Sequence, residues 1–250
     1  MTSQDVVGVD LDRGIGILCR RRGRDALITA ELTLADPLPK HLAKIPIAIA
    51  VEATCLPWRA PDGIPARQWR HFAEIDAESL EAIGEAPVVE LAGTAAPTLI
   101  AASARALQEA RQRARENGLT PAAAVPLPFV GLALATDGAL IEGTTPTLVL
   151  RAGESAFSVH LPILDDPALW AATVTDRINQ ARLEHRANCT NLTVCGSDGT
   201  RFEALVARLG RIGVVAEQLT IGGVVAPAWG IAAGVALAAR DFLSPREIAA

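Results

Sequence analysis

The sequence lacks tyrosine entirely, and aromatic residues make up only 4% of its 250 residues. Its four cysteines, Cys19, Cys55, Cys189 and Cys195, form no Cys-x-x-Cys pair. This argues against a zinc site, and we expect four buried, reduced thiols. Walker A, Gly-x-Ser-x-Gly and His-Glu-x-x-His motifs are also missing, so the chemistries that depend on them are not predicted.

Long apolar runs are missing as well. The most apolar stretch, residues 224–239, is shorter than the roughly 20 residues that a membrane helix needs, and Pro227 interrupts its start. We therefore expect a buried helix rich in alanine and glycine. The sequence begins without a basic segment followed by a long apolar one, so no secretory signal is predicted and the expected location is the cytoplasm.

An excess of positive charge is absent too. The formal net charge is -5, which argues against nucleic acid as the main partner because a phosphate polyanion attracts basic surfaces. One local cluster, Arg20, Arg21, Arg22 and Arg24, falls in a predicted hairpin turn. It is read either as a solvated turn or as a patch that docks an acidic partner or lipid head groups.

Half of the residues are hydrophobic, which is enough for a large core. Each half of the chain is predicted to open with a strand-turn-strand unit, at residues 6–19 and 147–161, and then to alternate helices and strands. Alternation predicts a mainly parallel sheet covered by helices, and the antiparallel openings make the sheets mixed. Locally, residues 55–65 predict a loop because they contain three prolines, and residues 77–83 predict a short helix. Ser103 predicts the N-cap of a helix that runs to Asn117, and a long helix is predicted from about residue 166 to residue 186.

Short segments along the chain resemble, in order, motifs of the actin-like ATPase superfamily. Residues 7–10, a glycine turn and residues 15–18 look like its first phosphate-binding hairpin. Residues 194–199 resemble its adenosine-binding turn, and residues 229–237 its closing helix. Within the superfamily the chain is most similar to PilM, the cytoplasmic component of type IV pilus assembly, and to the cytoplasmic domain of GspL in type II secretion.

The resemblance implies a two-lobed actin-like (ribonuclease H-like) α/β fold with mixed sheets and flanking helices. Lobe I is expected at residues 1–140, with a reduced inserted subdomain, and lobe II at residues 141–250. The implied function is a non-catalytic scaffold at the inner face of the inner membrane. It would bind the cytoplasmic tail of an inner-membrane partner in a groove between lobes or subdomains, connect it to an assembly ATPase, and need no cofactor.

In this superfamily the backbone N–H groups of two hairpin turns hold the phosphates, and an aspartate after the first strand holds Mg²⁺. Asp10 is the matching residue, and Gly14 belongs to the same turn. Alternatively, Asp10 caps that turn without binding any ligand. Asp12 stands where the family prefers glycine, and its carboxylate would repel a phosphate by about 1–4 kcal/mol.

The second phosphate hairpin is assigned to Arg151 and Gly153, where the family has Asp-x-Gly. We expect Arg151 to pair with Asp10 or Asp12 and fill the cleft with an internal ion pair; the alternative is that it grips a phosphate. Either way the water-activating carboxylate is missing, so ATP hydrolysis is not expected.

Gly196 and Gly199 match the family's adenosine-binding turn, although a simple turn between a strand and a helix explains them as well. Two other functions stay open: an ATP-binding switch or small-molecule kinase that uses Mg-ATP, and a reactivase of another protein's cofactor. A rise in melting temperature with nucleotide would select the first, because a ligand that binds only the folded state stabilises it.

Overall fold

The structure is a computed structural model that describes residues 4–22, 25–34, 42, 44–80, 87–92, 97–135, 137–196, 199–221, 224–225 and 230–239. Its elements in chain order are β1 (Gln4–Asp10), β2 (Ile15–Arg22), β3 (Asp25–Thr33), β4 (Ile47–Val51), β5 (Thr54–Pro57), α1 (Ala66–Glu78), β6 (Val88–Ala92), β7 (Thr98–Ala102), α2 (Ala104–Glu116), β8 (Ala123–Pro126), α3 (Leu127–Leu134), β9 (Gly138–Ile141), β10 (Thr147–Ala152), β11 (Ser155–His160), α4 (Pro167–His185), β12 (Asn191–Cys195), α5 (Gly199–Leu209), β13 (Val215–Gln218), β14 (Thr220–Ile221), β15 (Val224–Val225) and α6 (Gly230–Ala238).

Two five-stranded mixed sheets share one strand order. The first sheet runs β3-β2-β1-β4-β8, and the second sheet runs β11-β10-β9-β12-β13. In each sheet the middle strand pairs antiparallel with one neighbour, β2 or β10, and parallel with the other, β4 or β12. β1 and β9 therefore occupy equivalent places. This topology confirms the predicted mixed α/β architecture with flanking helices.

Helix α6 belongs to a core that contains residues of both sheets, such as Ile17 and Ile141. It packs directly on β1, where a Cβ added at Gly8 would lie 2.0 Å from the backbone oxygen of Ala232. Every residue of α6 except Leu237 is buried, which confirms the predicted core helix. Small residues are needed here because a strand and a helix backbone are in contact.

The outer helices bury apolar faces against the sheets. On the second sheet, α4 contributes the fully buried Trp170 and Ile178, and the Asp166 side chain caps the start of this helix. On the first sheet, α2 begins at the predicted N-cap Ser103, whose hydroxyl accepts from the N–H of Ala106 at 3.0 Å. These caps satisfy N–H groups that the helices leave unpaired.

A three-stranded antiparallel sheet, β5-β7-β6, is inserted between β4 and α2 and is covered by α1. Hydroxyl groups join it to the edge of the second sheet. Thr98 accepts from the N–H of Ala156 at 2.9 Å, and Ser158 accepts from the N–H of Cys55 at 2.8 Å. Edge strands have N–H groups without partners in their own sheet. These two contacts therefore provide acceptors for the N–H groups of Ala156 and Cys55, which would otherwise be buried at the junction without a hydrogen bond.

Two local predictions are wrong. Residues 55–65 were expected to form a loop, but Thr54–Pro57 is a strand, paired with β7. A helix was expected at residues 77–83, but α1 spans Ala66–Glu78, and residues 81–83 lie outside the described part of the chain. Pro65 immediately precedes α1, where a missing N–H costs the helix nothing, so it starts a helix rather than extending the loop.

The second sheet begins at Gly138, close to the predicted division between residues 140 and 141, which itself stays a prediction. Among the described residues, no helix combines the length and the apolar character that crossing a membrane requires.

Candidate functional site

A cleft of about 230 Å³ opens between the carboxyl ends of β1 and β4 and the loop that follows β9. Helix α2 lines its outer side, while Leu127 of α3 and Ile231 of α6 contribute apolar surface. Carboxyl ends of parallel strands meet at one edge of a sheet, so side chains from distant parts of the chain converge here. We take this cleft as the candidate site.

Asp10 ends β1 and is nearly buried, with 4% of its side chain exposed. Its Oδ1 accepts from the backbone N–H groups of Asp12, at 3.0 Å, and Arg13, at 3.3 Å. Turn amides of this kind can hold an anion, but both already donate to Asp10. The geometry is therefore that of the turn-capping alternative.

Arg13 connects the β1–β2 turn to the loop after β9, beside the residues that line the cleft. Its Nη1 lies 3.1 Å from Oδ2 of Asp10, and its Nη2 donates to the backbone oxygen of Glu142 at 2.6 Å. A Cβ added at Gly196 would lie 2.7 Å from that Nη2, so a side chain at residue 196 would require the guanidinium to shift. Arg13 thus joins the end of β1 to the ends of β9 and β12.

Asp12 makes a second connection across the cleft. It pairs with Arg113 of α2 at 2.7 Å and accepts a hydrogen bond from the Thr144 hydroxyl in the loop after β9. Partial burial opposes ionisation of Asp12, but the contacts with Thr144 and Arg113 outweigh it and lower its pKa. Asp12 therefore stays ionised and holds the loop near the first sheet.

A third connection starts at Glu52, which follows β4 and accepts from the Thr145 hydroxyl. Beyond it, His160 links two sheets: its Nε2 lies 3.3 Å from the Thr54 hydroxyl and its Nδ1 lies 3.2 Å from the Thr147 hydroxyl. Thr147 already donates to the backbone oxygen of Thr145, so it accepts from Nδ1–H and leaves Nε2 as the acceptor.

Glu142 is a buried acid, 7% exposed, on the second-sheet side of the cleft. Its N–H donates to the Cys195 oxygen at 2.9 Å, while its Oε1 is buried without a hydrogen-bond partner. The nearest cation is Arg201, whose Nε lies 4.0 Å from that oxygen and whose guanidinium packs over Trp170. Glu142 thus adds negative charge beside the Arg13 guanidinium.

The residues of the cleft do not fit a bound nucleotide phosphate. Four carboxylates and one guanidinium line it, from Asp10, Asp12, Glu52, Glu109 and Arg113. The excess negative charge repels phosphate, and the turn amides of residues 12 and 13 are already used. Among the described residues, no group of three or more His, Cys, Asp or Glu side chains is arranged to hold a metal ion.

Some of the residues predicted for the site do converge. Asp10 and Asp12 line the cleft, Gly196 lies against the Arg13 guanidinium and the Glu142 oxygen, and Gly14 occupies the β1–β2 turn with a φ of 66°. Gly199 is the first residue of α5, with no atom of another residue near the position of an added Cβ.

Arg151 and Gly153 lie elsewhere, so the predicted pairing of Arg151 with Asp10 or Asp12 does not form. β10 runs antiparallel to β9, and Leu150 stands opposite Gly138, at the start of β9. The turn at Gly153 is therefore at the opposite end of the second sheet from Glu142. Arg151 donates to the Leu132 oxygen at the end of α3, at 3.2 Å.

Sequence reasoning missed the residues that bridge the cleft, Arg13, Arg113, Thr144 and Thr145. The available signal was residues 142–143, a Glu-Gly pair directly after a short apolar run, which marks the loop after β9. That loop, rather than the Gly153 turn, faces the β1–β2 turn across the cleft.

The four cysteines are buried, as expected. Burial raises the pKa of Cys19, Cys55 and Cys195 to about 12 and that of Cys189 to about 11. None is poised as a nucleophile, because the reactive form of cysteine is the thiolate.

No protein-family model matches this sequence, and no curated protein matches it. Its structure is similar to the cytoplasmic domain of EpsL, an inner membrane component of the type II secretion system of Vibrio cholerae. The match has a TM-score of 0.52 and covers 84% of this chain and 95% of that one, at 9% sequence identity. The likeness shows the fold, and in that sense the predicted resemblance to the cytoplasmic domain of a type II secretion component is confirmed.

Proposed function

We propose that this protein is a non-catalytic scaffold of a bacterial secretion or pilus assembly platform, built on a two-lobed actin-like fold. The observation that carries the proposal is that the polar groups beside the cleft are already bonded within the chain: the turn amides of residues 12 and 13 donate to Asp10, and the Arg13 guanidinium bridges Asp10 and the Glu142 oxygen. Few donors are left for a phosphate, which favours a role in assembly over turnover.

The actin-like assignment rests on the repeated topology. Two sheets of the same strand order face a shared cleft, and each contributes a loop that follows its middle strand. Helix α6 lies against the first sheet, and α3 connects it to the second. The similarity to the EpsL cytoplasmic domain supports the same assignment.

The place of action we propose is the cytoplasmic face of the inner membrane. The structural relative is a domain of an inner membrane secretion component. Here the protein binds the cytoplasmic tail of an inner-membrane partner and connects that partner to an assembly ATPase.

The groove that suits such a tail is a second cavity of about 210 Å³, between β8, the three-stranded sheet and α2. Val51, Val88, Ile100 and Leu107 make it apolar, while Glu90 and Arg111 supply one charge of each sign. β8 and β6 are edge strands, so an extended tail gains main-chain hydrogen bonds as well as apolar contact.

Site-specific photo-crosslinking in the native host tests this proposal. A benzophenone amino acid at Val88 or Arg111, both exposed at the groove, should give an adduct with an inner-membrane protein through its cytoplasmic tail. The same substitution at Leu183, 85% exposed on α4, is the matched control and should give none. Adducts with soluble proteins alone, or equal adducts at all three positions, contradict the proposal.

A second candidate is an ATP-binding switch that holds Mg-ATP. The buried Asp10 at the end of β1 and the 230 Å³ cleft favour it. It requires Arg13 to release Asp10 and the Glu142 oxygen, and that requirement separates the two functions experimentally.

A further inference from the structure

Arg13 is less exposed than the other arginine whose contacts help to hold the loop after β9 near the first sheet. Of its side chain 29% is exposed, whereas Arg113, which pairs with Asp12 nearer to solvent, is 51% exposed. Both Arg13 hydrogen bonds have partners fixed by secondary structure, because Asp10 ends β1 and Glu142 follows β9.

Asp10 depends on this contact. A carboxylate that is 4% exposed is costly without a compensating charge, and Arg13 is the cation that lies against it. Removing the guanidinium would leave a buried negative charge with two backbone N–H donors and no cation within ion-pair distance among the described residues.

The space around the guanidinium also indicates a built contact. Gly196 has a φ of 102° and gives up the volume that Nη2 occupies. Together with the Thr144 and Thr145 hydrogen bonds, the Arg13 contact ties the loop after β9 to the first sheet at three points.

We infer that Arg13 is an internal bridge beside the cleft that fixes the two five-stranded sheets in one closed arrangement, without the need for an exchangeable ligand. Clefts that open and close with a ligand change shape because the ligand binds one state more tightly. Here the cation that favours the closed state is part of the chain. The closed arrangement of the two sheets is therefore independent of ligand concentration. The role of this rigidity rests on the proposed scaffold function, since a fixed scaffold transmits position between membrane and ATPase.

The distance between α2 and α5, on opposite sides of the cleft, tests the inference. Spin labels at Gln112→Cys and Glu203→Cys report it, since both positions are exposed and the native thiols are buried. The parent protein should give one narrow distance distribution that does not change when Mg-ATP is added. Arg13→Ala should broaden or lengthen it and lower the Tm by about 5 °C or more.

Millimolar methylguanidinium should restore the narrow distribution in Arg13→Ala, whereas tetramethylammonium at the same ionic strength should not. Arg13→Gln keeps a donor for Asp10, but its side chain is too short to reach both Asp10 and the Glu142 oxygen. If Arg13→Ala fails to fold, the distance distribution of Arg13→Gln tests the inference instead. Arg70→Ala, which removes an arginine paired with Glu74 on the surface of α1, is the control and should change nothing.

An unchanged narrow distribution in Arg13→Gln, or one that shifts with Mg-ATP in the parent protein, overturns the inference. The distance measurement involves no partner, so its failure leaves the crosslinking test of the scaffold function intact, and the reverse holds as well.

Discussion

The guanidinium of Arg13 donates to the backbone oxygen of Glu142, a residue 129 positions further along the chain, at 2.6 Å. This bond joins the first loop of one five-stranded sheet to the first loop of the other. Because the two sheets are joined by such contacts, we expect single substitutions at the contacts between elements to change the stability of the protein.

Gly8→Ala should destabilise the protein strongly. The new Cβ would lie 2.0 Å from the Ala232 oxygen and 2.4 Å from the Ala236 nitrogen, both backbone atoms of α6. We expect a loss of about 3 kcal/mol or more in the free energy of unfolding, measured by urea titration.

Gly16→Ala is the matched control, because Gly16 lies in the paired strand β2 and its added Cβ would meet Leu32 at an acceptable 3.4 Å. Equal losses in the two variants would show that α6 does not pack on β1 as described.

Thr98→Val should weaken the junction between the three-stranded sheet and the second sheet. The Thr98 hydroxyl accepts from the N–H of Ala156 in a buried position. Valine has the same shape but leaves that donor unpaired, at a cost of about 1–3 kcal/mol. Thr98→Ser keeps the hydroxyl and should retain most of the stability, and amide exchange at Ala156 should accelerate only in Thr98→Val.

His160 should make the stability depend on pH near neutrality. Although His160 is partly exposed, desolvation by its neighbours lowers its pKa below 6.5, against the opposing effect of the Glu52 carboxylate. The unfolded chain then binds the proton more readily than the folded one. The contribution of neutral His160 to the free energy of unfolding is therefore fully present above pH 6.5, and it is lost as the pH falls from 6.5 towards the lowered pKa of this residue.

Melting curves between about pH 7.5 and about pH 5.5 measure this effect. His160→Gln, which retains hydrogen-bonding groups but does not titrate, should flatten the slope in this interval. His71→Gln, on the surface of α1, is the control for replacing a histidine elsewhere in the chain. A slope that persists in His160→Gln would assign the effect to another group.

Arg186→Gly should stabilise the protein. Arg186 ends α4 in the left-handed conformation, with a φ of 53°, and it is the non-glycine residue with positive φ in the described part of the chain. Glycine adopts this conformation without strain, so a gain of about 0.5–1 kcal/mol is expected. Gln108→Gly, at an exposed position near the middle of α2, should instead cost about 1 kcal/mol, and a loss in both variants would contradict the assignment.

Much of the fold follows from the sequence because long elements carry periodic signals. The strands 4–22, the capped helix after Ser103 and the long helix after Asp166 were all expected near their observed positions. Strand β9 was not predicted, because four residues are too few to show the alternation of a strand and because it begins with Gly138. That glycine is needed because Leu150 packs over it, at 2.7 Å from an added Cβ.

Because β9 was not predicted, the second half of the site was assigned to the wrong turn. Without β9, the first visible turn of the second half was at Gly153, and Arg151 was taken to face Asp10. An internal ion pair in the cleft was the right kind of contact, but the cation is Arg13, three residues from its partner. Its bond to Glu142 depends on how two sheets pack, which no local pattern encodes.

Calorimetric titration of the purified protein with ATP and ADP, with and without Mg²⁺, tests the central claim most directly. An Arg13→Gly variant is titrated alongside the parent protein, and Arg151→Asp, far from the cleft, is the control. The account predicts no binding by the parent protein or by Arg151→Asp, since the carboxylates that line the cleft repel phosphate and the Arg13 donors are already bonded within the chain. Binding by Arg13→Gly alone would show that Arg13 is what prevents it. Micromolar, Mg²⁺-dependent binding by the parent protein that is lost in Asp10→Asn would contradict it and make the protein a nucleotide-regulated switch.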